Sequence, residues 1–111
     1  MKDYVYVVRS NPVKGAEEEY NRWYTERHLS DVLAVPGFVS AQRFQICNPA
    51  DENAPSQAYL ALYFMRTDDP DALLETLTNL VESGQMEMSE AFSQDDVVTI
   101  LYEAITPPVS A

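Results

Sequence analysis

The fold is decided by residues 17–44, EEEYNRWYTERHLSDVLAVPGFVSAQRF, which predict a helix, a turn and a strand in that order. The three glutamates at positions 17–19 stand where the first turn of a helix favours negative charge. Aromatic side chains then recur at helical spacing, at Tyr20, Trp23 and Tyr24. Pro36-Gly37 is a turn signal, so we expect the helix to end near Leu33.

The rest of the chain supplies three more strands and one more helix. Apolar or alternating runs predict strands at residues 4–8, 38–46, 57–65 and 97–104. In the second strand, strict alternation places Phe38 on one face with Ser40, Gln42 and Phe44. Asp69 and Pro70 predict the start of the second helix, and Gly84 predicts its end.

The order of these elements is β-α-β-β-α-β, which is typical of ferredoxin-like α+β domains. We therefore expect residues 1–111 to form a single domain, with a four-stranded antiparallel sheet and two helices on one face. Two helices cover only one face of such a sheet, yet the strands are apolar on both faces. The second face needs a partner, and another copy of the chain is the simplest one, so we expect a homodimer packed sheet to sheet.

Composition narrows the classes of function. Only 7 Lys and Arg residues oppose 18 Asp and Glu, giving a net charge of −11. Nucleic acids and anionic membrane surfaces both require basic patches, so neither is an expected partner. The single cysteine excludes a disulfide framework and fits a reducing compartment, and the cytoplasm is therefore the expected location.

The one histidine of the chain is the first candidate for chemistry. Imidazole is the only side chain whose ordinary pKa lies near neutrality, so His28 is a candidate general acid or base. Asp31 follows three residues later, on the same face of a helix, where it could orient the ring and raise its pKa. The alternative is a helix-end histidine that caps carbonyl groups or bonds Asp31 without any catalytic role.

Residues 17–44 also resemble the EthD-like branch of the dimeric α+β barrel superfamily. The resemblance depends on Trp23, His28 followed by Leu29, Asp31, Pro36-Gly37-Phe38, and Arg43-Phe44. It implies a dimeric α+β barrel with a small-molecule pocket in each subunit. The superfamily includes isomerases, polyketide cyclases, cofactor-free monooxygenases and haem proteins, so the resemblance leaves the reaction open.

Several further residues are candidates for binding a substrate. Trp23 and Tyr24 could line a pocket or belong to the core, and Phe44 belongs to the motif of the resemblance. Strand tyrosines such as Tyr6, Tyr59 and Tyr63 suit a flat aromatic or phenolic ligand, or else a dimer interface.

Arg43 lies in mid-strand and needs an anionic partner. That partner could be a substrate carboxylate or enolate, or a protein acid such as Glu103.

The leading hypothesis is a cofactor-independent enzyme that acts on an aromatic, phenolic or polyketide-like metabolite. His28 would move a proton next to a carbonyl group, in isomerase, cyclase or lyase chemistry. The alternatives are a non-catalytic ligand-binding or accessory protein of a catabolic or redox system, and a cofactor-free monooxygenase. We expect no metal site, because one His and one Cys do not form a usual zinc site.

Overall fold

The computed structural model describes residues 1–111 and contains one antiparallel sheet of four strands. The strands are β1 (Lys2–Ser10), β2 (Phe38–Gln45), β3 (Tyr59–Thr67) and β4 (Val98–Glu103), and their spatial order is β2-β3-β1-β4. β1 pairs with β3 and β4, while β2 pairs with β3 at the edge. This arrangement confirms the ferredoxin-like fold expected from the sequence.

The first helical region is continuous from residue 17 to residue 33, but it is not a regular α-helix. It consists of α1 (Glu17–Trp23), a π-helical turn (Tyr24–His28) and α2 (Leu29–Leu33). The Leu29 N–H donates to the carbonyl of Tyr24, five residues earlier, which is the π-helical hydrogen bond. The region ends at Leu33 as predicted.

The second helical region is α3 (Pro70–Glu82). Its start follows the prediction, because the Asp69 carboxylate accepts a hydrogen bond of 3.0 Å from the N–H of Ala72. Pro70 occupies the first helical position, where the absence of an N–H costs nothing.

The helices cover one face of the sheet and enclose the core there. β3 contributes alternate residues to this face, and all of them are buried: Tyr59, Ala61, Tyr63 and Met65. Tyr20 and Tyr24 pack onto them from the first helical region, and Leu73 from α3. Because the helix-side residues of β3 include two tyrosines, the core carries hydroxyl groups that need partners.

The pairing of β2 contradicts one part of the sequence analysis. A β-bulge shifts the register between Phe38 and Ser40, so that Phe38 pairs with Met65 while Ser40 pairs with Phe64. Phe38 is therefore buried on the helix side rather than sharing a face with Ser40 and Phe44. The extra residue, Val39, is 60% exposed. Strict alternation failed here because a bulge adds one residue to the strand.

The other face of the sheet carries no helix. Its apolar side chains come from all four strands, and several are well exposed: Phe44, Phe64, Ile100 and Tyr102, at 38–51%. Phe64 lies on β3 and pairs with Val5 of β1 and Ser40 of β2, so the apolar surface extends across the middle of the sheet. We call this surface the open sheet face. The length and polarity of every helix rule out a membrane-spanning helix.

Candidate functional site

The π-helical turn brings two candidate residues face to face. The rings of Trp23 and His28 are stacked, with centroids 4.7 Å apart and planes inclined by 25°. Residues five apart on an α-helix point roughly 140° away from each other, because each residue turns the helix by about 100°. The wider π-helical turn reduces that angle and allows the two rings to meet. Such turns are frequent at functional sites.

His28 is enclosed by aromatic rings. Its side chain is only 8% exposed, and the rings of Tyr24 and Tyr63 present their edges or faces at right angles to it, at 5.1 and 6.5 Å. The pKa of His28 is lowered from 6.5 to about 4, mainly by burial; the charge of Asp31 opposes this shift and the charge of Arg43 adds to it. The imidazole is therefore neutral at pH 7, and it can accept a proton but holds none to donate as an imidazolium.

Asp31 does not play the part expected from the sequence. Its carboxylate lies 3.5 Å from Nε of Arg27, in an ion pair on the helix surface. Nδ1 of His28 is buried and has no hydrogen-bond partner. Asp31 therefore does not orient the ring through a hydrogen bond, but its charge does raise the pKa of His28 as expected; burial outweighs that effect and lowers the pKa overall.

Two buried N–H or ring nitrogen groups lack partners, and both belong to the stacked pair. They are Nε1 of Trp23 and Nδ1 of His28. A buried polar group without a partner costs about 1–3 kcal/mol, and native proteins hold only a few of them. Two such groups on adjacent stacked rings mark this cluster as a place that can accept a polar molecule.

Tyr6, Tyr59 and Tyr63 lie on the helix side of the sheet, within the subunit, whereas Tyr102 of β4 is on the open sheet face. Tyr63 donates a hydrogen bond of 3.0 Å to the hydroxyl of Tyr24, and the ring of Tyr6 lies 6.5 Å from that of Tyr63. Tyr59 donates to Oε1 of Glu17 at 2.8 Å. Burial raises the pKa of Tyr24 to about 12 and also raises the pKa of Tyr63. The hydroxyls therefore stay protonated at neutral pH, as hydrogen-bond donors.

Arg43 reaches across from β2 to the first helical region. Its guanidinium lies over the ring of Tyr24, 4.4 Å from the centroid, and donates to Oδ1 of Asn21 and Oγ1 of Thr25, both at 2.8 Å. The acid suggested by the sequence, Glu103, pairs instead with Lys2 at 3.6 Å. The strand order explains this, because Arg43 lies on β2 at one edge of the sheet and Glu103 lies on β4 at the other.

The structure thus gathers most of the predicted residues and separates two. Seven side chains form what we call the aromatic cluster, all between the first helical region and the sheet: Tyr6, Trp23, Tyr24, His28, Arg43, Tyr59 and Tyr63. Phe44 lies on the open sheet face, and Asp31 is on the helix surface. Sequence reasoning missed Tyr20, Asn21 and Thr25, although all three follow Glu19 within one helical stretch beside Trp23.

The four main cavities lie outside the aromatic cluster, apart from two that touch its rim at Tyr59. The polar one at this rim has a volume of about 590 Å³ and is also lined by Lys14 and Glu17. His28 lines none of the four. No group of three or more His, Cys, Asp or Glu side chains lies close enough together to hold a metal ion.

Solved structures with the same fold come from several bacteria. The heme-degrader MhuD from Mycobacterium tuberculosis, with two hemes bound in its active site, has a TM-score of 0.64 at 14% identity, over 96% of this chain and 99% of that one. A dimeric ferredoxin-like protein of unknown function from a Jannaschia species has a TM-score of 0.61 at 13% identity, over 92% and 99%. An EthD family protein from Bacillus halodurans has a TM-score of 0.58 at 15% identity, over 95% and 100%.

These similarities confirm the ferredoxin-like fold and the structural resemblance to EthD-like proteins. At identities this low they show the fold alone. No curated protein matches the sequence. The sequence profile of the family described as "Domain of unknown function (DUF4286)" matches residues 3–102. The chain therefore belongs to the DUF4286 family.

Proposed function

We propose that this protein is an enzyme without a bound cofactor that transfers a proton on a small aromatic or phenolic molecule at the aromatic cluster. The observation that carries the proposal is the stacked Trp23–His28 pair, whose two buried ring nitrogens have no partner. A ligand hydroxyl group would satisfy both nitrogens by accepting from Nε1–H of Trp23 and donating to Nδ1 of His28, and a carbonyl oxygen would do so by accepting from both when Nδ1 carries the proton. The surrounding rings of Tyr24 and Tyr63 would pack against its aromatic part.

In this proposal, His28 acts as the base. A neutral imidazole takes the proton from a carbon or oxygen next to a carbonyl group, and the Tyr24 hydroxyl, which accepts from Tyr63 and keeps its own proton free, donates a hydrogen bond to the enolate that forms. Isomerisation, cyclisation and lyase reactions all begin with such a step. Because the pKa of His28 is about 4, the base is already deprotonated throughout the neutral range.

Haem does not fit this site as an alternative. A haem ligated by His28 would need a porphyrin-sized cavity beside the imidazole, yet His28 lines none of the four main cavities and is covered by aromatic rings. In the present proposal a single aromatic ring is much smaller, and the covering side chains would need to move only slightly to admit it. We therefore derive no step through haem, although MhuD binds it on the same fold.

The proposed assembly is a homodimer, and the proposed location is the cytoplasm. The open sheet face exposes large apolar side chains, which soluble monomers rarely present together over a wide area. A second copy packed against it would cover them. Cys47 is a free, exposed thiol, which is compatible with a reducing compartment.

The test is deuterium incorporation in D₂O, followed by NMR on a panel of aryl ketones and hydroxyaryl lactones. The wild-type protein should exchange the proton next to the carbonyl group of at least one compound, and His28→Gln should slow this exchange by about 10²-fold or more. Glu26→Gln is the matched control, since Glu26 is an exposed neighbour in the same π-helical turn. Exchange that is equally fast in wild type and His28→Gln would contradict the proposal.

A second candidate is a cofactor-free monooxygenase, favoured by the fold shared with solved structures described as putative monooxygenases from Shewanella loihica and Nitrosomonas europaea. It predicts consumption of oxygen when the protein is mixed with an electron-rich phenol, which an oxygen electrode measures directly. A binding or accessory protein would bind the same ligands in wild type and His28→Gln and would show neither exchange nor oxygen consumption.

A further inference from the structure

Arg43 is held in place without any carboxylate. Its Nη2 donates to Oδ1 of Asn21 at 2.8 Å, and its Nη1 donates to Oγ1 of Thr25 at 2.8 Å and to the Asn21 carbonyl at 3.5 Å. All of these acceptors are neutral. The guanidinium also lies over three aromatic rings, 4.4 Å from the centroid of Tyr24, 5.5 Å from that of Tyr20 and 5.6 Å from that of Tyr59.

Arg43 and Arg9 are the two arginines of this chain without an acidic partner, although the chain has 18 carboxylate side chains. Three other arginines have acidic partners: Arg22 pairs with Glu18, Arg27 with Asp31, and Arg66 with Asp3. The acid nearest to Arg43 along the hydrogen-bond network is Glu17, which accepts from Tyr59 instead. Arg43 is half-buried, so its charge is only partly compensated by water.

The hydrogen bonds of Arg43 leave part of its donor set free. A guanidinium carries five N–H donors in a planar fork, and the two nitrogens named above make all the side-chain bonds of Arg43. Asn21 and Thr25 therefore fix the direction of the fork without neutralising it. Such an arrangement suits an anion that arrives from outside the chain.

The position of Arg43 connects it to the aromatic cluster. The Arg43 guanidinium and the His28 ring both lie against the ring of Tyr24, at 4.4 and 5.1 Å from its centroid. The guanidinium also lies 5.6 Å from the ring of Tyr59, which lines the cavity of about 590 Å³ at the rim of the cluster. Arg43 is therefore near the rim through which a ligand of the aromatic cluster would enter.

We propose that the ligand of this site is an aromatic carboxylate, whose carboxylate group binds the free N–H donors of Arg43. A single planar fork matches a monoanionic carboxylate in geometry and in charge. A phosphate ester is disfavoured because it carries more charge than one guanidinium neutralises, and the net charge of −11 of the chain repels a dianion more than a monoanion. The inference rests on the proposed function, since it places the ligand at the aromatic cluster.

The test uses a matched pair of probes, 4-hydroxybenzoate and its methyl ester, which differ in the charge of one group. Trp23 is the only tryptophan of the chain, so its fluorescence reports on the site directly, and calorimetry provides an independent affinity. The wild-type protein should bind the acid at least about tenfold more tightly than the ester, as expected for hydrogen bonds to a charged group. The ester binding equally well or better would overturn the inference, as would the absence of binding by both probes.

Variants of Arg43 complete the test. Arg43→Gln should abolish the preference for the acid, whereas Arg43→Lys should keep part of it, since it retains the charge but loses the fork. Arg22→Gln is the control, because Arg22 is an exposed arginine of the first helical region, next to Trp23 in the sequence. Full preference in Arg43→Gln would refute the inference. Should that variant not fold, a preference for the acid in Arg43→Lys as large as that of the wild type would refute the inference, since lysine lacks the planar fork.

The outcome separates this inference from the proposed function. A preference for the acid that depends on Arg43 supports the inference even when His28→Gln exchanges protons as fast as the wild type. That second result would remove the catalytic proposal alone. The reverse case is proton exchange that depends on His28 but occurs only with neutral ketones. That result would support the catalytic proposal and exclude an aromatic carboxylate as the ligand.

Discussion

Acidification should destabilise this protein through His28, and the size of the effect follows from its burial. The pKa of His28 is about 4 in the folded chain, and its ordinary value is 6.5. Between these two pH values, the unfolded chain binds a proton at His28 while the folded chain does not. The free energy of unfolding therefore falls as the pH falls, and the contribution of His28 to stability is fully present above pH 6.5.

The magnitude is about 1.4 kcal/mol for each pH unit, which amounts to about 3 kcal/mol over the whole interval. Because the side chain is only 8% exposed, solvent screens little of this effect. His28→Gln is neutral at every pH and removes the titration. The difference in unfolding free energy between wild type and His28→Gln should change by that amount between pH 7.5 and pH 4.

Urea denaturation of both proteins across this range measures the difference, and the carboxylates that also titrate cancel in the comparison. The chain has one histidine, so a single C2–H proton resonance reports the pKa independently. Asp31→Asn should lower that pKa further, since the Asp31 charge raises it. A resonance that titrates near 6.5, with a difference in free energy that does not depend on pH, would refute the reasoning.

Three further predictions concern the fold and the assembly. Phe64→Asp should convert a dimer to a monomer in sedimentation, whereas Val13→Asp, at a similarly exposed apolar residue outside the sheet, should not; a monomeric wild type would contradict this. Gly37→Ala should lower the free energy of unfolding by about 2–3 kcal/mol, because φ is +110° and an added Cβ would lie 2.7 Å from a leucine side chain of α3. Gly84→Ala is the control measured by the same thermal unfolding: its φ is +83° but the space around it is open, so it should cost only about 1 kcal/mol. Asp69→Ala should cost about 1 kcal/mol by removing the cap of α3, and an unchanged urea midpoint would show that the cap contributes nothing.

Local signals were sufficient to predict most of the fold. The glutamates at the start of α1, Asp69-Pro70 at the start of α3 and Pro36-Gly37 after α2 each act within a few residues, and the elements begin or end beside them. The bulge in β2 could not be predicted, since it depends on Phe38 pairing with Met65 on another strand.

The candidate site was predicted only in part. The sequence identified His28 and Trp23, but α-helical spacing predicts that their rings are apart. No feature of the sequence predicted the π-helical turn that brings them together. Likewise, helical spacing put Asp31 near His28 but could not show that Arg27 competes for the carboxylate. The partners of Arg43 follow from how β2 docks against the helix, which is a tertiary contact.

The π-helical turn also determines which sequence changes the site can survive. It holds one residue more than an α-helical path between the same ends would need. Loss of a single residue from Tyr24–His28 would let the backbone close into an unbroken α-helix, at no cost in backbone hydrogen bonds. The segments before and after the turn would keep their places, so Tyr20 would stay against the sheet, but Trp23 and His28 would become four residues apart instead of five. A one-residue gap at this position in a related sequence would therefore identify a protein that keeps the architecture and has a different ring geometry at the candidate site.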